Sequence, residues 1–478
     1  MAAKTTLNAK NLEALGARRL AELLIEISTG SAAHKQRLRM ELAGNESSAE
    51  MAREIRKRLA SIARARTFID WHKVKKLKAD LETQRKAIVD IVAANDPKEG
   101  FELIWQFLAL ADSIFERSDD GSGSLMESFH QACTDAGVIA KAAGIDAETL
   151  ADKIFAAVQG NAYGQYDELI TVMVAALGNN GLEYLKTLFV QWSKEPQTKP
   201  AADDRRVIGW STKGPICEDE VYGNQRELTV RIALQEIADA QGDVDAYIAQ
   251  QPEKTRRFPL VAADIAGRLL FSGRAHEALQ MLDGVDTGGR TEIPVEWQLA
   301  RAETLDALGR ADEAQADRWK SFEQSLNEVH LRAFLKRLPD FDDIEAEEKA
   351  FAYAQASPDV HRALAFFLRW PALAEAAKLV VRRKAELDGD IYELMTPAAE
   401  ALAGKHPLAA TLVLRSMIDF TLDSGRSSRY KHAARHLAEC ASLAPHVADF
   451  ANVGIHDAYV AELKRRHGKK HGFWGLVP

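Results

Sequence analysis

The chain is poor in cysteine, aromatics, long apolar runs and catalytic signatures, and each shortage removes a class of protein. Its three cysteines, Cys133, Cys217 and Cys440, lie far apart in 478 residues and imply neither a pair nor a ligand cluster. A disulfide-stapled secreted domain is excluded, and a reducing cytoplasm is the expected compartment. No apolar run approaches the ~18 residues of a membrane helix, and the opening Met1-Ala2-Ala3-Lys4 lacks the apolar stretch of a secretory leader. A soluble protein without membrane contact is expected. Gly-x-Ser-x-Gly, Gly-x-x-x-x-Gly-Lys-Ser/Thr, His-Glu-x-x-His and the dinucleotide fingerprint are all missing. No catalytic residue and no cofactor is therefore expected, and the chain reads as a non-enzyme.

Aromatics are 7% of the chain and β-branched runs are scarce, so no convincing strand is read. Alanine, leucine and charged residues dominate, which points to helix. A net charge of −8 argues against wholesale nucleic-acid binding but leaves room for local basic patches.

One helical pattern is written twice. Ala266 to Leu279 and Ala302 to Gln315 each carry a helix, a Gly-Arg turn (Gly273-Arg274, Gly309-Arg310) and a second helix opening on Glu-Ala, 36 residues apart. Val261, Ile265 and Leu269 set one broad apolar face on the first helix, and Gly273 suits the left-handed conformation that ends it. One such hairpin cannot bury its own face, so neighbours must stack on it. The segment Gly273 to Leu279 resembles the turn and second helix of the tetratricopeptide repeat. Gln315 and Arg301 stand where that family has large apolar residues. The expected fold is all-α: a right-handed α-solenoid of antiparallel hairpins, tetratricopeptide-like in its second half.

Along the chain, residues 1–95 read as an N-terminal helical region and 96–195 as helical hairpins. Residues 196–222, with Pro200 and Pro215, read as an irregular linker or insertion and the preferred domain boundary. Residues 223–478 read as the repeat region with a basic, aromatic tail. Asn8 and Asp146 are helix starts, Asn95-Asp96-Pro97 closes a segment, and a new helix reads from Phe101. A helix is expected over Ala33 to Leu42, and an αα-hairpin is expected around Gly178 to Gly181.

The sharpest charge asymmetry lies between Arg53 and Lys86, read as one basic helix. Twelve Lys or Arg face four acids there, a local charge of +8. Arg56, Arg64, Lys75 and Lys76 are its candidate contacts for phosphate or for an acidic partner. The competing explanation is a solvated face, or one docked on the chain's own acids. Lys464 to His471, followed by Phe473-Trp474, is the second candidate, through Arg465, Arg466, Lys469 and Lys470. Against it stands docking of Phe473 and Trp474 as the cap that an array needs. His432/His436 and His467/His471 are spaced for one helix face, but they sit among cations and lack further ligands, so no metal is expected. Asp119 to Gly123 lacks the ligand pattern of a calcium loop, and the acidic run Phe341 to Glu348 reads as solvated charge.

Asn11-Leu12-Glu13-Ala14-Leu15-Gly16, Phe115 to Asp120, Gly164 to Asp167, and Tyr459 to His467 with Phe473-Trp474 resemble an uncharacterised bacterial, largely alphaproteobacterial, family of helical proteins of unknown function. The second half is also similar to the helical region that follows the metal motif in SWIM zinc-finger proteins. Their Cys-x-Cys…Cys-x-His motif is absent, so no zinc is implied. The expected function is a protein–protein interaction scaffold for a protein or peptide partner. The alternative is a nucleic-acid-associated protein using residues 53–86 and the tail.

Overall fold

Helix starts follow the capping residues. Asn8, Asp96 and Asp146 each accept a backbone N–H one turn ahead, opening α1 (Ala9–Glu13), α5 (Pro97–Leu108) and α8 (Ala147–Gln159). A computed structural model of the chain describes residues 7–477 apart from 32–33, 36, 40–41, 43–46, 197–205, 212–213, 218–224, 286–292 and 451–452. Of the helix expected over Ala33 to Leu42, residues 34–35, 37–39 and 42 are described and helical, and 33, 36 and 40–41 lie outside the described residues.

Two compact units result, Met1–Pro252 and Glu253–Pro478. The first also holds α2 (Ala17–Ser28), α3 (Ser48–Arg64), α4 (Trp71–Ala87), α6 (Ala111–Phe115), α7 (Ser124–Ala143) and α9 (Leu169–Lys194), then α10 (Gln225–Gln241) and α11 (Val244–Gln250). One core of buried side chains, from Met51 to Ile237, runs through it. A Cβ on Gly137 would collide with the Val172 carbonyl, so this glycine sets the close approach of α7 and α9.

Several expectations need correction. The basic segment is two helices, not one. α3 ends at Arg64, α4 starts at Trp71 under an Asp70 cap, and Arg58 pairs back onto Asp80. By contrast Gly178, at φ 56 and ψ −176, breaks α9 into two helical segments at the position where the turn was expected. A two-stranded antiparallel ribbon, β1 (Val207–Ser211) and β2 (Gly214–Cys217), stands where no strand was read. Its β-branched and aromatic residues (Val207, Ile208, Trp210) are the signal the surrounding prolines obscured. The boundary also moves. α10 packs on α9, with Arg226 over the Trp192 ring at 5.0 Å and Gln241 bonded to Glu183 at 2.7 Å, so 225–250 completes the first unit. The core likewise crosses the limit expected at 95/96.

The second unit runs through α12 (Pro259–Phe271), α13 (Ala275–Asp283), α14 (Val295–Ala307), α15 (Ala311–Ser325), α16 (Glu328–Leu335), α17 (Asp342–Ala356), α18 (Val360–Arg369) and α19 (Leu373–Arg382). It continues through α20 (Tyr392–Ala403), α21 (Pro407–Asp423), α22 (Tyr430–Leu443), α23 (His456–His467) and α24 (His471–Trp474). Each helix packs chiefly on its next one or two neighbours, which is the contact pattern of an α-solenoid.

The two repeats match in detail. Gly273 and Gly309 take φ 75 and 73. The amides of Gly273 and Arg274 donate to the Leu270 and Leu269 carbonyls, and those of Gly309 and Arg310 to Asp306 and Leu305. This is the Schellman closure, which satisfies carbonyls a helix end would otherwise strand. Arg274 then pairs with Glu277 at 2.7 Å and Arg310 with Glu313 at 2.5 Å. Ala266, Leu269 and Ala278 are buried, and so are Ala302, Leu305 and Ala314, 36 residues on.

The copies diverge at apolar positions. Ile265, Leu270, Leu279, Met281 and Leu282 become Arg301, Asp306, Gln315, Asp317 and Arg318. Arg318, only 2% exposed, pairs with Asp306, which also receives Arg337 at 2.7 Å. Gln315 donates to the Phe334 carbonyl at 3.1 Å and accepts from Arg318 at 3.0 Å. Arg301 joins Asp283 at 3.2 Å and also pairs with Asp317. Residues that break the repeat pattern thus find one another.

Candidate interaction surfaces

The basic segment is mostly neutralised at home. Arg56 pairs with Glu99 at 2.6 Å, Lys57 with Glu54 at 2.6 Å, Lys73 with Asp70 at 2.9 Å and Lys78 with Glu127 at 2.6 Å. Arg53 meets Glu50, Arg58 meets Asp80, and Arg85 takes both Glu82 and Asp135. Five cations have no carboxylate partner among the described residues: Arg64, Arg66, Lys75, Lys76 and Lys86. Arg64 donates only to the Ala60 carbonyl at 3.1 Å, and Lys75 and Lys76 stand on the solvent face of α4. Of the four residues singled out in this segment, Arg64, Lys75 and Lys76 gather at the α3–α4 end. Arg56 lies two turns away on α5's side.

That end carries two aromatics the charge pattern did not reveal. Phe68 is 60% exposed and Trp71 67%. The signal that would have found them is the break in helical spacing between the stripe ending at Ile62 and the one starting at Val74, with Asp70 as the new cap.

The C-terminal segment is built the opposite way. Phe473 is fully buried against Tyr430, and the Trp474 indole donates to the His467 carbonyl at 2.9 Å. Arg466 reaches Asp423 at 2.6 Å and Arg465 reaches Glu462 at 2.6 Å. Lys469 is exposed and Lys470 half-buried, with no carboxylate partner among the described residues. α24 packs on α22 as a cap.

A third surface lies in the second unit. α20 and α22 both pack on α21 and barely touch each other, leaving a groove floored by Leu414, Met417 and Thr421. It consists of adjoining hollows of about 300 and 320 Å³ that share Thr396, Arg435 and His436 as walls. Its charged walls are partly paired at home: Arg429 meets Asp390 at 2.6 Å, and Arg435, common to both hollows, meets Glu439 at 3.5 Å, while Glu400 lines the second hollow. Burial, then the nearby Arg435 and His432, push His436 down to about 4, so its imidazole is neutral near pH 7. A larger hollow of about 780 Å³ lies on the other side of α22, walled by Ala438, Ala441, Val460, Ala461 and Trp474.

Potential chemical groups are occupied structurally. The Asp120 carboxylate accepts the amides of Ser124, Leu125 and Met126, so the Asp119 to Gly123 loop caps α7. Burial pushes the Cys133 and Cys440 thiols up to about 12, which leaves no thiolate nucleophile at either. Among the described residues no group of three or more His, Cys, Asp or Glu is placed to hold a metal ion. No described helix is long and apolar enough to cross a membrane.

Two segments that carry the family resemblance meet in the first unit. Phe115 stacks near Tyr163 at 5.4 Å, and Gln165, fully buried, donates to Asp112 at 3.1 Å and to the Gly160 carbonyl at 3.3 Å. The profile of a family of unknown function, DUF6880, matches residues 2–476. The chain belongs to this family. No curated protein matches it. A solved structure described as a circular tandem repeat protein with novel repeat topology and enhanced subunit contact surfaces is 13% identical, over 98% of this chain and 94% of that one. Its TM-score of 0.14 means the two folds do not superpose, and the likeness carries no argument.

Proposed function

We propose that this DUF6880 chain is a non-enzymatic, cytoplasmic protein–protein interaction scaffold. The observation that carries the reading is the groove between α20 and α22: three helices build it, Leu414 and Met417 lie on its floor, and its walls carry both cations and carboxylates. A segment of a protein partner laid along it would bury apolar side chains against Leu414 and Met417 on α21 and meet the charged walls of α20 and α22. Purely local ion pairs would not produce such a cleft.

The second reading is association with nucleic acid. It is favoured by the cations at the α3–α4 end that have no carboxylate partner among the described residues. The tail adds little to it, because Arg465 and Arg466 are engaged by Glu462 and Asp423. Bacterial origin, and kinship of the second half to the SWIM helical region, rest on resemblance of the segments quoted above.

Recovery of the tagged full chain from native lysate, split into nuclease-treated and untreated halves, separates the readings. Proteins recovered equally from both halves support the scaffold. Companions that vanish with nuclease support the second reading and count against the first.

A further inference from the structure

We propose that the corner between α3 and α4 binds single-stranded nucleic acid, with Phe68 and Trp71 stacking on bases and Arg64, Arg66, Lys75 and Lys76 contacting phosphates. The proposal deepens the second reading and rests on it.

The corner is held from beneath. The Ile69 amide donates to the Arg117 carbonyl at 2.7 Å, and the Asp119 amide donates to the Ile69 carbonyl at 3.1 Å. The Arg117 guanidinium donates to the Thr67 carbonyl at 3.1 Å and to the Ile62 carbonyl at 3.3 Å. Ile69 points inward and is buried, so its neighbour Phe68 points out. Trp71 is the first residue of α4, its ring centroid 3.4 Å from that of His72, and Lys75 follows one turn later on the same side. Two large aromatics are therefore displayed on backbone that needs no ordering when a ligand arrives.

Charge selects the ligand. Of the acids near the corner, Asp70 is already held by Lys73 at 2.9 Å and caps His72. Asp119 is the other, brought close by its bond to Ile69. Arg64, Arg66, Lys75, Lys76 and Arg117 outnumber them, which fits an anionic polymer. An acidic peptide would satisfy the cations yet leave both rings without flat partners. A duplex would present phosphates with its bases already stacked on each other. A single strand offers both phosphates and free π-faces, and every base can use them, so no sequence preference is expected.

The test uses the intact protein and fluorescence anisotropy, with oligo-dT of about 20 nucleotides, a duplex of the same length and poly-glutamate as probes, between about 50 and 200 mM salt. Oligo-dT is expected to bind more tightly than the duplex. Phe68→Ala with Trp71→Ala is expected to weaken it at least about tenfold. Arg66→Glu, Lys75→Glu and Lys76→Glu together are expected to reduce the slope of log affinity against log salt by about 2. Lys469→Glu with Lys470→Glu serves as the tail control and is expected to change nothing, and circular dichroism confirms that each variant folds. Equal binding of duplex and single strand, with the aromatic variant unchanged, would overturn the single-strand assignment but leave the nucleic-acid reading standing. Absence of binding to either at the low-salt end would overturn both. Poly-glutamate competing on equal terms with oligo-dT would also overturn the proposal, marking the corner as a site for acidic protein.

Discussion

The corner at Arg64–Lys76 and the tail at Lys464–Trp474 have similar compositions, basic residues beside two aromatics, yet opposite constructions. At the tail Phe473 is buried, the Trp474 indole donates to the His467 carbonyl at the end of α23, and Arg465 and Arg466 find carboxylates. At the corner Phe68 and Trp71 face water and four cations have no carboxylate partner among the described residues. The tail spends its groups on closing the last hairpin, and the corner keeps them outward. Composition alone does not separate a cap from a contact surface. What separates them is whether complementary groups elsewhere in the chain lie within reach.

The largest effect expected from this contrast is at the cap. Phe473→Ala should destabilise the protein by about 3–5 kcal/mol, since a fully buried ring is lost from the end of an array. Urea unfolding reads this directly, and a loss below about 1 kcal/mol would mean the tail is not a structural cap.

Next is the polar seam between the repeats. Asp306→Ala leaves Arg318 buried with its main ion-pair partner removed, and should cost about 3 kcal/mol. Removing the exposed equivalent of the repeat turn, Glu313→Ala, should cost much less, because solvent screens that pair. Comparable losses in the two variants would contradict the burial argument.

Smaller again are the repeat turns themselves. Gly273→Ala and Gly309→Ala each force an alanine into left-handed backbone, for about 1–2 kcal/mol apiece. The two values should agree, because the two closures have the same hydrogen bonds.

The units should also answer pH in opposite directions. In the first unit burial pushes Glu236 up to about 7 from 4.5, with Asp167 and Glu168 adding to the rise and the Thr171 hydroxyl opposing it. The folded state then holds the extra proton between those values, so stability falls as pH rises through about 4.5 to 7. In the second unit His436 is pushed down to about 4 from 6.5. The unfolded state holds that proton, so stability rises with pH over about 4 to 6.5. Each slope is bounded by about 1.4 kcal/mol per pH unit. Glu236→Gln and His436→Gln should each remove one slope and leave the other; a single variant that flattened both would refute the assignment.

The smallest effect belongs to the corner. Phe68→Ala and Trp71→Ala should change stability by no more than about 0.5 kcal/mol, because neither ring is part of the core.

Much of the fold was legible because its signals are local. Asn8 and Asp146 cap helices within one turn of themselves, and Gly273 and Gly309 close helices with their immediate neighbours. Features that depend on distant residues were not legible. Arg58 finds Asp80 and Arg337 finds Asp306 across 22 and 31 positions, and no periodicity announces such pairs. The domain boundary was misplaced for the same reason: the prolines near 200 and 215 are local breaks, whereas the packing of α10 on α9 is a long-range fact. The ribbon at Val207–Cys217 escaped because two short strands supply too few residues to set a period. The α20–α22 groove depends on how two helices pack on the one between them, which no residue motif records.

The central claim is that this groove receives a protein partner. The most direct test compares nuclease-treated recovery of companions by the wild-type chain with recovery by Thr396→Arg/Glu400→Arg, which crowds the α20 wall and reverses its charge. Loss of a specific set of proteins in the variant, with unchanged folding by circular dichroism, is the predicted result. Recovery of the same proteins by both chains would contradict the claim and move the working surface elsewhere on the molecule.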